Sequence, residues 1–271
     1  MSVSEASEGR QLWLRAGKRR RRRIRLCRLL LILGFFLFWE LGTARGLIDA
    51  FIVSSPSRML ETLLSLCRSG ELWRHLWVSV AETAAGFLLG TALGTLIAVA
   101  LWWSDFLRSV LEPVLIVLNA LPKTALGPVF IVWMGAGMGS IIAMTLAISL
   151  IVTVLDVLGG FLSTDSEQLQ LLQTMGASRL QQLTKLVIPA NLDTLMNALK
   201  VNVGLSWVGA IMGEFLVSRA GLGYLIVYGS QVFRMDLVMT TVLLLGVSAA
   251  LMYRLVLFFE SRLKKHFGVM G

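Results

Sequence analysis

The sequence predicts an all-α membrane protein, a bundle of about six transmembrane helices, and three observations carry that reading. Of 271 residues, 56% are hydrophobic and only 15% are charged, against about 25% charged in an ordinary soluble chain. Too few charges are available to cover a water-facing surface. The apolar residues also fall in blocks that reach the roughly 20 residues needed to cross a hydrocarbon core ~30 Å thick. Backbone groups in lipid must be satisfied within the segment, which leaves helices or a closed barrel. The roughly ten-residue alternation of barrel strands is missing from the sequence.

The chain begins with a basic segment, 1–24, and the transmembrane domain follows over 25–271, with its core at 76–260. Ten of the 25 basic residues lie in the first 28 positions, and Lys18 to Arg23 form an unbroken run. A basic run directly ahead of an apolar helix reads as a cytoplasmic anchor against anionic headgroups, and this placement argues against nucleic acid as the partner. A secretory signal also starts basic. Here no clean small-residue cleavage site follows and Trp39-Glu40-Leu41 breaks the pattern, so the segment is expected to be retained. The start of 1–24 is expected to be poorly ordered.

The first span is placed at 26–44, interrupted by Arg28 and Glu40. After Pro56 the residues Ser57 to Leu64 have helical apolar spacing and suit a helix at the membrane surface. The second span, 78–103, carries Gly86, Gly90 and Gly94 at four-residue intervals, which aligns them on one face and lets another helix approach closely. The third, 110–134, holds Pro113, Pro122 and Pro128 and is expected as one kinked helix beside protein or an aqueous path. Gly135 to Gly139 form a turn before the fourth span, 140–162. A polar stretch, 163–193, then leads to the fifth span, 194–216, an external loop, 217–236, and the sixth span, 237–259. The basic residues place both termini in the cytoplasm. Cys27 and Cys67 are expected on opposite sides of the first span and unpaired. His75 and His266 are expected at the interface, and the Trp residues in interfacial belts.

Within 163–193 the residues describe a short helix, a Gly176-Ala177-Ser178 turn and a second amphipathic helix, with Leu180, Leu183, Leu186 and Val187 on one face and an end near Pro189. Such a knob suits docking into a groove on a soluble partner, though a plain connector accounts for it equally well. Gly176 followed thirteen residues later by Pro189, with Ile188 just before it, resembles the coupling loop of bacterial binding-protein-dependent ABC importers. Ser54-Ser55-Pro56-Ser57, Pro113 with Leu121-Pro122-Lys123-Thr124-Ala125-Leu126-Gly127-Pro128, Val132-Trp133-Met134-Gly135-Ala136-Gly137, Trp207, Glu214 and Ala220-Gly221-Leu222-Gly223-Tyr224 are similar to the nitrate/sulfonate/taurine branch of that family, in order over roughly 50–262.

The resemblance implies a type I importer permease, paired with a second permease copy, an ATP-binding subunit and an external solute-binding protein in the bacterial inner membrane. It assigns ATPase coupling to Gln170, Gly176, Ala177, Ser178, Arg179, Leu183, Ile188 and Pro189. The chain would hold no cofactor or metal, ATP being bound by the partner. Three positions depart from the pattern: Gln170-Leu171-Leu172 stands where the family has Glu-Ala-Ala, Glu82 where the branch often has Arg, and Asp193 where a second Pro follows Pro189.

Charges inside spans are costly and usually face the bundle interior or a path. Glu82, Lys123, Asp156 and Glu214 are such charges. Glu214, Glu82 and Asp156, with the amides Asn119 and Asn202, are the candidates for the translocation path, while structural pairing and interhelical hydrogen bonding are the competing roles. The sequence carries no Gly-x-x-x-x-Gly-Lys-[Ser/Thr] phosphate loop, so ATP hydrolysis falls to a partner, and it has no His, Cys or carboxylate constellation at catalytic spacing. The chain is therefore not expected to be an enzyme. An ion-coupled secondary transporter is the alternative, which predicts internal repeats that are not evident here. The solute of the resemblance is a small anion such as a sulfonate, nitrate or taurine, with a neutral or heterocyclic nutrient as the alternative.

Overall fold

The computed structural model describes residues 3–266, with side chains described for Arg20, 22–24 and 26–262. The first residues of 1–24 and the side chain of His266 lie outside this description. All the regular structure among the described residues is helical. The chain divides into two units, Met1–Leu64 and Ser65–Gly271.

The first unit holds helix α1 (Val3–Ala44), the single turn α2 (Ala50–Val53) and most of α3 (Pro56–Ser69). The expected first span, 26–44, is the second half of α1. Most of its apolar side chains are exposed, Leu31 at 74% and Phe38 at 71%. The loop after α1 is tied back to it. The Ser57 hydroxyl and main-chain N–H donate to Glu40 at 2.8 and 3.0 Å, and the Trp39 indole donates to the Ser54 carbonyl at 3.2 Å.

The second unit runs through α4 (Glu71–Trp103), α5 (Asp105–Ala120), a 3-10 turn (Lys123–Leu126), α6 (Gly127–Met134), α7 (Met138–Leu162), α8 (Ser166–Thr174), α9 (Arg179–Gln182), a π turn (Leu183–Val187), α10 (Ile188–Ala190), α11 (Leu192–Val217), α12 (Leu222–Gln231) and α13 (Met235–His266). Four of these, α4, α7, α11 and α13, are long and apolar enough to cross a membrane, and α5 with α6 makes a fifth if the bent pair counts as one span.

The expected single kinked span at 110–134 is instead broken by 90°. Leu121 precedes Pro122 and is pushed out of the helical region, to ψ 138°, and Pro122 has no N–H with which to continue the helix. Pro113 stays inside α5, and Pro128 sits in the first turn of α6, where its missing N–H costs nothing. The expected loop 217–236 likewise contains a helix, α12, because Gly221 is followed by an apolar run that packs Leu222 and Leu225 into the bundle.

The core is the contact of α7 with α4 and α11. The glycine stripe behaves as its spacing predicts: Gly86, Gly90 and Gly94 face Thr145, Ser149 and Thr153 of α7, and a Cβ at any of them would lie 1.9–2.6 Å from those side chains. Small residues at such a seam let helix backbones approach, and packing then supplies the association that the hydrophobic effect cannot supply in lipid. Trp207, expected in an interfacial belt, is instead 3% exposed and packs among Phe87, Val203 and Leu222.

Candidate functional site

Two constructions stand at opposite ends of α4, a helix of 33 residues and so about 50 Å long. The first is the knob between α7 and α11. Asp165 caps α8 by accepting from the Glu167 N–H at 2.9 Å. The helix ends as Gly176 turns left-handed, at φ +80°, so that Ala177 N donates to the Leu172 carbonyl and Gly176 N to that of Gln173, both at 2.9 Å. This is the paired-bond termination that favours glycine.

Ser178 then starts α9 with a capping box. Its hydroxyl accepts from Gln181 N at 3.3 Å, and the Gln181 side chain accepts from Ser178 N at 2.8 Å. The turn widens to a π turn ahead of Pro189, whose ring cannot fit a regular helix against the carbonyl four residues back.

The knob has a stem and a tip. Leu183 and Val187 are buried in one cluster with Ala98, Leu101, Val154, Val157, Leu158 and Phe161, and half-buried Ile188 packs against it. The Arg179 guanidinium donates to the Trp103 carbonyl at the end of α4, and Gln182 donates to the Ala177 carbonyl at 3.1 Å. Asn191 donates to Thr164 at 2.8 Å and to the Val187 carbonyl at 2.9 Å. At the tip Leu171, Met175 and Leu180 are 60%, 75% and 59% exposed. Leu180 therefore leaves the apolar face predicted for it, because the tight Ser178 cap points the first turn of α9 outward. Gln170 is exposed beside this tip.

The second construction is a latch at the other end of the bundle. The first turn of α12 begins at Gly221 with no side-chain cap of its own, yet its N–H groups are satisfied by α4 and α11. Gly221 N donates to His75 Nδ1 at 3.0 Å, Leu222 N to Ser79 Oγ at 2.6 Å, and Gly223 N to Glu214 Oε2 at 2.6 Å. Ser79 in turn donates to Glu214 Oε1 at 2.5 Å. Gly221 is at φ +119°, and a Cβ there would strike Glu214 Oε2 at 2.2 Å. Glu214, at the end of α11, is 1% exposed and caps a helix it does not belong to. His75, expected at the interface, is instead buried and stacks on Tyr224 at 5.8 Å between ring centroids.

Glu82, 3% exposed, lies close to the Glu214 carboxyl, and its Oε2 is buried without a hydrogen-bond partner among the described residues. The other candidates are placed apart from this pair. Asn202 is buried and joins α11 to α7 and α4, donating to Thr153 and, at 3.3 Å, to Thr91. Asn119 is exposed at the end of α5 and accepts from Lys123 at 3.1 Å. Asp156 is exposed on α7. Asn202→Leu is expected to lower the melting temperature only slightly, since hydrogen bonds between membrane helices average about 0.6 kcal/mol; a thermal melt of purified protein checks this.

A bundle of spanning helices with a packed small-residue core, a rigidly held knob at one end and a capped hairpin helix at the other fits a membrane permease. Residues 90–265 match the family model of the binding-protein-dependent transport system inner membrane component, and the chain belongs to that family. It is 32% identical over 224 residues to a probable ABC transporter permease protein of Haemophilus influenzae, covering 82% of this chain and 91% of that one. It is 27% identical over 227 residues to the putative aliphatic sulfonates transport permease protein SsuC of Bacillus subtilis, covering 84% and 82%. Among solved structures, a bacterial ABC transporter involved in the import of the acidic polysaccharide alginate shares the fold, with a TM-score of 0.63 at 15% identity, over 93% of this chain and 99% of that one. The chain is thus a multi-pass permease of an ATP-driven importer for a small solute, a family that works with an ATPase and a solute-binding protein.

Proposed function

We propose that this permease works as a homodimer in the bacterial inner membrane, with both termini in the cytoplasm and the stretch 26–44 as a further span beside the basic segment 1–24. The knob at 163–193 is the coupling element, and Gln170, Gly176, Ala177, Ser178, Arg179, Leu183, Ile188 and Pro189 shape it. The observation that carries this reading is the pairing of an apolar exposed tip, Leu171, Met175 and Leu180, with a stem locked into α4, α7 and α11. An exposed apolar tip on a protein surface marks a docking site, and a rigid stem passes the partner's displacement to the bundle. ATP binding by the paired ATPases draws the two knobs together and shifts the bundle between inward and outward access, as far as ATP's differential affinity for the two states allows. The solute is a small anion of the sulfonate, nitrate or taurine kind, by likeness to the sulfonate permease of Bacillus subtilis. Glu214 and Glu82 act at the outer gate through the α12 latch, and Asn119 and Asp156, both exposed on spanning helices, face the path or the second copy.

The test is co-purification from native membranes. The wild-type chain is expected to bring down an ATP-binding subunit, and Met175→Asp with Leu180→Asp to lose it at unchanged permease yield, since both side chains are already exposed. Retention of the ATPase by the double variant would make the segment a connector.

A further inference from the structure

We propose that the break between α5 and α6 holds a contact point for a small anion on the solute path, built from Lys123, Asn119 and Thr124. This rests on the permease reading above and adds to it the residues that meet the solute and the charge they select.

The backbone comes first. Leu121 and Pro122 are extended, and a 3-10 turn follows inside a pair of helices that together have the length and composition of a span. Non-helical backbone at membrane depth is tolerated only where protein buries it or water lines it. Leu121, Pro122, Thr124 and Ala125 are all exposed, so α7, which packs against the 3-10 turn, covers only one side of the break. The same place carries a cation, half-buried Lys123, and a cation in a span faces a bundle interior or a watery cavity instead of lipid. Two independent constraints, one from the backbone and one from the charge, point to an aqueous path.

The chemistry of the break then selects the ligand. Lys123 Nζ donates to the Asn119 main-chain carbonyl at 2.9 Å and to Asn119 Oδ1 at 3.1 Å. An ammonium has three protons, and these two bonds leave one for a ligand. With Oδ1 engaged, the free end of the exposed Asn119 amide is its Nδ2 donor, and the Thr124 hydroxyl is exposed next in the chain. The ion pairs of the described residues join Arg108 to Asp105, Lys200 to Glu260 and Arg234 to Asp236, so no carboxylate neutralises Lys123. Donors with an uncompensated positive charge fit a carboxylate, a sulfonate or nitrate. A lipid phosphate has the same chemistry. Lys123 also offsets the carbonyl end of α5, a role that involves no ligand.

The experiment separates these roles. In the full chain with its co-purified ATPase, carrying Cys27→Ser and Cys67→Ser, a reporter Thr124→Cys is labelled in phosphatidylcholine nanodiscs with a sulfonated and with a trimethylammonium methanethiosulfonate. The sulfonated reagent is expected to react faster by about tenfold, the low end of electrostatic steering. Lys123→Gln should abolish that preference and Lys123→Arg restore it. Added methanesulfonate should slow labelling, and phosphatidylglycerol in the nanodisc should not. Reaction with neither water-soluble reagent, equal rates for both, or a preference that survives Lys123→Gln would overturn the proposal. Slowing by phosphatidylglycerol alone would assign the site to a lipid headgroup and overturn it as well. The labelling rate does not depend on turnover, so it is read separately from ATPase coupling.

Discussion

Gly209→Ala is expected to prevent the bundle from closing. The added Cβ would lie 2.6 Å from the Thr145 Cα and 3.2 Å from its main-chain N. Both atoms belong to the backbone of α7, so no rotamer change can yield. The two helices must separate instead, and the strain passes to contacts above and below: Gly213 against Ile141 and the Asn202 bond to Thr153. Overpacking a well-filled core costs about 1–3 kcal/mol when side chains can give, and here a helix must move. Gly204, one and a half turns away on the same helix, meets nothing within 4 Å, so Gly204→Ala is the control for intrinsic helix propensity. The measurement is fluorescence-detected size exclusion after a temperature ramp. Loss of the monodisperse peak is expected for Gly209→Ala and a wild-type profile for Gly204→Ala. Equal profiles would mean that the seam between α7 and α11 has room for a methyl group at Gly209.

What could be read from the sequence divides along a physical line. Local rules carried the knob: the Gly176-Ala177-Ser178 turn and the end near Pro189 are both short-range signals. The glycine stripe at 86, 90 and 94 was legible because its period is the period of a helix. The break at Pro122 was only half legible. Three prolines announced irregularity, but only the extended conformation forced on Leu121 decides between a kink and a 90° turn. The latch was the part sequence reasoning missed, because it joins residues more than 130 positions apart: Ser79 to Glu214 and to Leu222. A faint signal was present. His75, Ser79, Glu82 and Gly86 fall at successive intervals of four, three and four, which places them on the same face of α4 as the glycines, and a polar stripe continuing a packing stripe has to find partners on the facing helices. Read that way, His75 belongs inside the bundle, not at its edge. Glu82 also gains a context: an arginine here would pair with Glu214, and this chain sets a second carboxyl against it.

Glu214→Ala is expected to release α12 while leaving the bundle assembled. The substitution removes the acceptor for the Ser79 hydroxyl and for Gly223 N, and both donors remain buried behind Leu222, which has no exposed surface. Each buried group left unsatisfied costs about 1–3 kcal/mol. The cost falls on the first turn of α12, which has no cap of its own. The core of α7 with α4 and α11 does not depend on these bonds, so the melting transition should shift less than for Gly209→Ala. Amide hydrogen exchange over 218–231 is the direct readout, with rates about tenfold to hundredfold higher than in wild type, given that every 1.4 kcal/mol is a factor of ten. Glu214→Gln keeps one oxygen acceptor but turns an amide donor toward the N–H or hydroxyl that the second oxygen served, so it should fall between the two. Uptake by the assembled importer should drop in the same order if the α12 latch gates the outer side. Protection that persists in Glu214→Ala would show that the buried Leu222 and Leu225 anchor the helix without the carboxylate. The role of Glu214 would then lie in its proximity to Glu82, where Glu82→Gln, which can donate to the Glu214 carboxylate, and Glu82→Leu, which cannot, should separate in transport while remaining alike in exchange.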